Sequence, residues 1–343
     1  MIRSAQTRTN GNDRQPESAL EFKPLPFLSN PHVQTVLGNL WPTKNPAITT
    51  RLRKTLVADG DCLVLHDSVP MNWRAGERTA LLVHGLGGSH RSGYMLRVAD
   101  MLLRRGLRVV RMDLRGCGRG AALARQTYNG GCSGDVRAAV AEIHKWDPTS
   151  PVTLLGFSLG GNIVLKLAGE AACQPLPLLE RVAAVAPPID LERCAELLAL
   201  PGNRLYNFHY SRSLVDQVQR QQQHFPDLPR VRFPRRLTMR IFDELYTAPR
   251  GGFQDALDYY RRASSVSLIA RITVPTLILT ARDDPFIAVD SFERLQAPEH
   301  IAVTILRHGG HLGFLGPDGA GGIRWAERRV VDWVSPGGPP MDA

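Results

Sequence analysis

The sequence predicts an α/β protein: a mostly parallel, twisted sheet with helices on both faces and one helical insertion. Three observations carry that prediction. From Thr79 onward, short apolar runs of strand length alternate with segments of helical period, as in βαβ units. A Gly-x-Ser-x-Gly turn, Gly156-Phe157-Ser158-Leu159-Gly160, stands between one such run and a helix-type segment. The alternation then breaks between about Ile189 and Ala270, where the chain is helical in composition, rich in Arg and Gln, and interrupted by five prolines.

The elements follow in order. Residues 1–21 are polar, carry no apolar stretch of signal-peptide type, and read as a disordered lead. A proline-punctuated segment, Phe22 to Thr35, leads into a short helix. The stretch 56–65 reads as a hairpin with a tight Asp59-Gly60 turn that supplies an antiparallel edge. Strands are expected over 81–83, 108–112, 152–157, 182–186, 277–280 and 303–306, with helices over 92–105, 135–146 and 323–334. The core is thus expected in two parts, 22–188 and 271–335, with a helical cap at 189–270 and a tail at 336–343. A cap at that place would shape a pocket and exclude water from it.

Composition sets the remaining bounds. Of the 343 residues, 43% are hydrophobic, ample for one buried sheet core. No run approaches the ~18 apolar residues of a membrane helix. Five cysteines, an odd number with no CxxC pair, read as reduced thiols of a cytoplasmic protein without a metal site. The net charge of +10 is uneven. Residues 1–55 hold eight Lys/Arg against three acids, and residues 200–240 hold eight arginines against two aspartates. Such patches are either solvated faces or attract an anionic membrane or substrate. No nucleic-acid module matches them, so no nucleic-acid partner is expected.

Four stretches carry chemistry. In the first, the strand 152–157 enters the glycine turn, which would lift Ser158 Oγ above the sheet edge. The glycines two residues either side are needed because a Cβ there would strike a neighbouring strand or helix. The backbone N–H of Leu159 is left at a helix N-terminus, free to bind an oxyanion. In the second, a buried strand runs into His84-Gly85-Leu86-Gly87-Gly88, where the N–H of Leu86 would be the second oxyanion donor. His84 is given a structural role, since it precedes the serine.

In the third, a strand ends at Asp283-Asp284-Pro285. Asp284, directly before the turn, is favoured as the acid that orients a histidine; Asp283 stays as the alternative. In the fourth, a late strand delivers Arg307-His308-Gly309-Gly310-His311. His311, on the glycine loop, can reach over the sheet edge as general base, whereas His308 is expected to pack or bind backbone. The order Ser, Asp, His is that of α/β-hydrolases, not of chymotrypsin or subtilisin.

Beyond these, Asn30-Pro31-His32-Val33-Gln34-Thr35, Arg115-Gly116-Cys117-Gly118, the serine turn with Gly161-Asn162, and Phe242-Asp243 through Tyr259-Tyr260-Arg261-Arg262-Ala263-Ser264 resemble the YheT-type α/β-hydrolases. That subgroup also includes the eukaryotic ABHD lipid hydrolases, and the likeness runs from about Phe22 to the end. It implies a serine hydrolase of carboxylic esters, small or lipid, with Ser158, Asp284 and His311 as triad and no cofactor. The chain departs from the subgroup at Tyr128-Asn129-Gly130-Gly131, where Tyr-His-x-Gly is usual, which leaves that loop's role in the pocket wall open. An acyltransferase using the same triad, or a binding protein with a silent one, are the other readings.

Overall fold

A computed structural model describes residues 22–41 and 46–335; the expected lead at 1–21 and tail at 336–343 lie outside the described residues. Eight strands form one sheet in the order β1-β2-β4-β3-β5-β6-β7-β8. They are β1 (Arg51–Leu56), β2 (Cys62–Ser68), β3 (Thr79–Val83), β4 (Arg108–Asp113), β5 (Val152–Phe157), β6 (Leu179–Val185), β7 (Thr276–Ala281) and β8 (Ile301–Leu306). β1 runs antiparallel to β2, and β2 to β4. All other neighbours are parallel. The central strands β3, β4, β5 and β7 are buried along their whole length, because helices cover both faces of a parallel sheet. The edges, β1 and β8, are partly or fully exposed along most of their length.

The helices sort by face. α1 (Pro31–Leu40) precedes the sheet. On one face lie α2 (Gly93–Arg104) and the closing helix α11 (Trp325–Val334). α2 buries Met95, Val98, Ala99 and Leu102, a stripe at helical spacing that meets Leu82, Val109 and Leu155. On the other face lie α3 (Ser133–Trp146) and α4 (Leu159–Glu170). Between β6 and β7 come α5 (Leu191–Ala199), α6 (Arg204–His224), α7 (Met239–Phe242), a π-helical turn (Asp243–Thr247), α8 (Ala248–Gly251) and α9 (Ala256–Ala263). α10 (Val289–Glu293) follows β7.

The hairpin closes on the expected tight turn: Gly60, at φ 87°, donates its N–H to the Val57 carbonyl at 3.0 Å, and the Val57 N–H donates to the Asp61 carbonyl at 2.9 Å. The Asp61 carboxylate accepts the N–H groups of Arg125 and Gln126, tying the turn to that loop. One strand boundary needs correction. The sixth strand begins at Leu179 rather than Val182, and Ala186, at φ 47°, ends it.

The chain order also locates the site. β3 sits between β4 and β5, so the connections after β3 and β5 leave in opposite directions. A crevice opens at the carboxyl ends of such strands.

Candidate active site

Ser158 follows β5 directly and caps α4 with φ 50° and ψ −123°. A non-glycine residue held there costs about 1–3 kcal/mol, so the surroundings must impose it. They do so at Gly156, where a Cβ would run into the Gly160 carbonyl, and at Gly160, where one would meet the Val83 and His84 carbonyls. The strand and helix are thereby drawn close enough to pinch the turn, as the sequence spacing predicts.

Ser158 Oγ lies 2.9 Å from His311 Nε2, and His311 Nδ1 lies 2.8 Å from Asp284 Oδ2. A carboxylate only accepts, so the proton sits on Nδ1 and Nε2 is left to accept from the serine hydroxyl. The other Asp284 oxygen accepts the N–H groups of Phe286 and Ile287, both at 3.1 Å, which fixes the carboxylate in place. The His311 N–H donates to Thr35 Oγ1 at 2.9 Å, and Thr35 donates to the Pro31 carbonyl at 2.7 Å. The Phe286 ring packs on the His311 imidazole, with centroids 4.2 Å apart.

The rival residues form a pair of their own. His308 Nδ1 lies 3.2 Å from Asp283 Oδ2, while Asp283 Oδ1 accepts the Gly310 N–H at 3.0 Å. His308 therefore holds a side-chain carboxylate rather than backbone, correcting that expectation. The pair is partly exposed, and among the described residues neither side chain hydrogen-bonds to Ser158. His84 is structural, as expected: its Nδ1–H donates to the Gly85 carbonyl at 2.8 Å, and its Nε2 accepts the Leu114 N–H at 3.1 Å. Burial pushes its pKa down and keeps it neutral.

The glycine loop after β3 lies against the serine, since a Cβ on Gly85 would stand 3.0 Å from Ser158 Cβ. Gly85 N–H donates to Tyr94 Oη at 3.0 Å and Gly87 N–H to Tyr128 Oη at 2.8 Å. Among the described residues, the N–H groups of Leu86 and Leu159 have no hydrogen-bond partner.

Sequence reasoning missed several supports. Tyr128 braces the glycine loop, and Thr35 holds the histidine loop. Asn162 bonds the Gly130 and Ala263 carbonyls, both at 2.9 Å, and accepts the Ser265 N–H at 3.0 Å. All three lie in segments that carry the subgroup resemblance or its departure. The motifs marked them without giving a role, because each acts on a partner distant in the chain.

Over Ser158 lies a cavity of about 130 Å³, roofed by α5, α6 and the π-helical turn. Its wall is mainly apolar, with Leu86, Leu159, Leu191, Leu198 and Leu214 among the lining residues. The loop of Tyr128 and Asn129 lines it too.

One cluster has the composition of a metal site: His66, His90 and Asp113. Its geometry is that of a hydrogen-bond hub. The two imidazoles are stacked 3.4 Å apart and nearly parallel, so an ion between them would stand far out of both ring planes. Asp113 instead accepts from both rings and from the N–H groups of His90 and Arg119. Burial opposes its ionisation, yet these bonds hold Asp113 well below the usual carboxylate range. Burial pushes His66 down.

A serine, histidine and aspartate in hydrogen-bonded series at the carboxyl ends of parallel strands define the α/β-hydrolase class. The chain belongs to the alpha/beta hydrolase fold family, whose model matches residues 80–318. YheT of Escherichia coli (strain K12) is 29% identical, over 96% of this chain and 96% of its own. The monoacylglycerol lipase of Saccharomyces cerevisiae is 27% identical over 83% of this chain and 64% of its own. Among solved structures, an esterase of Pyrococcus furiosus shares the fold, with a TM-score of 0.54 at 15% identity, covering 84% of this chain and 92% of that one. The YheT-type likeness read from the motifs therefore holds along the chain.

Proposed function

We propose that this protein is a carboxylic-ester hydrolase working through an acyl-enzyme on Ser158. The observation that carries the reading is the unbroken series from Ser158 Oγ through His311 to Asp284, at 2.9 and 2.8 Å. Ser158 Oγ attacks the ester carbonyl as His311 Nε2 takes its proton, and the N–H groups of Leu86 and Leu159 bind the oxyanion. His311 returns the proton to the leaving alkoxide. Water then attacks the acyl-enzyme, giving a proton to His311, and the acid leaves as that proton passes back to Ser158. Asp284 keeps the imidazole in the working tautomer and stabilises the imidazolium. The reaction is side-chain acyl transfer and calls for no cofactor.

The substrates are carboxylic esters, including lipid esters, in line with the apolar cavity and with the yeast relative's name. Segment 189–270 acts as the cap. Its eight arginines between 200 and 240 all stand exposed, and among the described residues none joins an ion pair. That leaves them available to an anionic membrane surface from the cytoplasmic side. No helix of the described residues is long and apolar enough to cross a membrane.

The test is a panel of esters graded from acetate to long-chain acyl, including mono- and diacylglycerols, assayed with wild type and Ser158→Ala. Turnover that disappears in a folded Ser158→Ala protein is expected. Turnover that survives would place the nucleophile elsewhere.

A further inference from the structure

One wall of the cavity does not fit a purely apolar pocket. Asp243, Tyr246 and Thr247 of the π-helical turn, spaced i, i+3 and i+4, share one face and line the cavity together. Asp243 is only 6% exposed, yet among the described residues no lysine, arginine or histidine pairs with it. Tyr260 Oη donates to its Oδ2 at 2.8 Å, and the Thr247 hydroxyl is its other partner. Tyr246 is turned to another task, donating to Gln221 Oε1 at 2.7 Å.

A buried carboxylate without a counter-charge is costly unless something uses it. Burial pushes the Asp243 carboxyl up to about 6, with Thr247 and Tyr260 pulling it back. An ionised carboxylate offers roughly four lone-pair sites, and two hydroxyl donors leave about two unfilled. The cavity that Asp243 lines also holds Ser158.

We infer that Asp243 is a specificity residue which receives a hydroxyl group carried on the chain of the ester that fills the cavity. The natural substrate is then an ester with a hydroxylated chain rather than a plain alkyl one. This inference rests on the reading of Ser158 as nucleophile. A hydroxyl suits the site better than an ammonium group. Both can donate to the carboxylate, but the cation must shed its full hydration among leucines, whereas the hydroxyl loses little. A methyl-ended chain of the same length would reach the carboxylate and leave its free lone pairs without a partner.

The experiment compares 4-nitrophenyl esters of straight-chain acids from butanoate to dodecanoate, each methyl-ended, hydroxyl-ended or ammonium-ended. Rates are taken per site labelled by a fluorophosphonate, so that misfolded protein does not count. At the chain length that spans the cavity, wild type is expected to favour the hydroxyl-ended ester over its methyl-ended match by about tenfold in kcat/KM. Asp243→Leu is expected to reverse that ratio. Calorimetric binding of the same esters to Ser158→Ala protein reads the preference without chemistry. Turnover with no hydroxyl preference at any length, in rate or in binding, overturns the inference alone, as does a preference for the ammonium chain. A hydroxyl preference in binding, with no Ser158-dependent turnover, keeps the Asp243 site and overturns the hydrolase reading instead.

Discussion

Two aspartate–histidine pairs stand side by side at the ends of β7 and β8, and only one reaches the serine. Asp284 and His311 are buried, with side chains no more than 5% exposed, and are joined at 2.8 Å. Asp283 and His308 are joined at 3.2 Å and stay partly exposed. In residue type the pairs are identical. What separates them is backbone placement: the Asp284 carboxylate is fixed by the N–H groups of Phe286 and Ile287, and the His311 backbone by Thr35. Asp283 instead accepts the Gly310 N–H, so the outer pair braces the loop that carries the inner one. Residue type alone does not separate the two pairs; burial and the bond to Ser158 do.

The largest expected effect breaks the comparison at its acids. Asp284→Asn should lower kcat by about 10⁴-fold, the size seen when the orienting acid of a serine protease is replaced, because the imidazole then settles in the wrong tautomer. Asp283→Asn should cost less than tenfold, since it loosens a loop and leaves the tautomer alone. Steady-state kinetics on one soluble ester measure both. The reverse ranking would move the acid one residue back.

A third aspartate sharpens the contrast, for Asp113 is buried and bonded to two histidines but far from the chemistry in role. Asp113→Asn should destabilise the fold by about 1.5–3 kcal/mol, the scale for a hydrogen bond to a buried charged group. Rates per folded molecule should change little. The folded pKa of Asp113 is depressed, so its contribution is present above the unfolded carboxylate value near 4 and is lost as pH falls from there through the lower folded value. His66, also depressed, binds its proton more readily when unfolded, so stability declines further as pH falls below about 6.5. Thermal melts from about pH 5 down to about pH 2 should show a steep wild-type loss that is shallower in Asp113→Asn. Parallel curves would refute the linkage.

A smaller effect concerns the arginine-rich segment 200–240, proposed as part of a cap, set against the rest of the chain. Each arginine near an anionic surface contributes about 1 kcal/mol, screened within a Debye length. Hydrolysis of esters in anionic vesicles should therefore fall as salt rises to physiological strength, while a neutral soluble ester responds little. Replacing Arg230, Arg232, Arg235 and Arg236 by Gln should erase that difference. Equal salt responses in wild type would make the patch a solvated face.

Much of the scaffold was legible because it obeys local rules. The parallel core strands appear as apolar runs, α2 as a stripe at helical spacing, and the serine turn as glycines at the two positions where a Cβ cannot fit. Ser158, Asp284 and His311 were legible as types in the right chain order. The sorting of Asp283 from Asp284, and of His308 from His311, leaned on loop position, and the pairing of the outer two was not visible. It depends on contacts across 25 residues that no spacing encodes. The same limit hid Thr35 beneath His311, Asn162 across to Ala263, and Asp113 between His66 and His90. Each joins residues that only the folded sheet brings together.

The most direct test of the central claim is site mapping of a fluorophosphonate adduct by mass spectrometry in wild type, His308→Ala and His311→Ala. The adduct is predicted on the peptide bearing Ser158, forming at nearly wild-type rate in His308→Ala and at a small fraction of that rate in His311→Ala. An adduct on any other peptide, or equal labelling of the two histidine variants, would contradict the account.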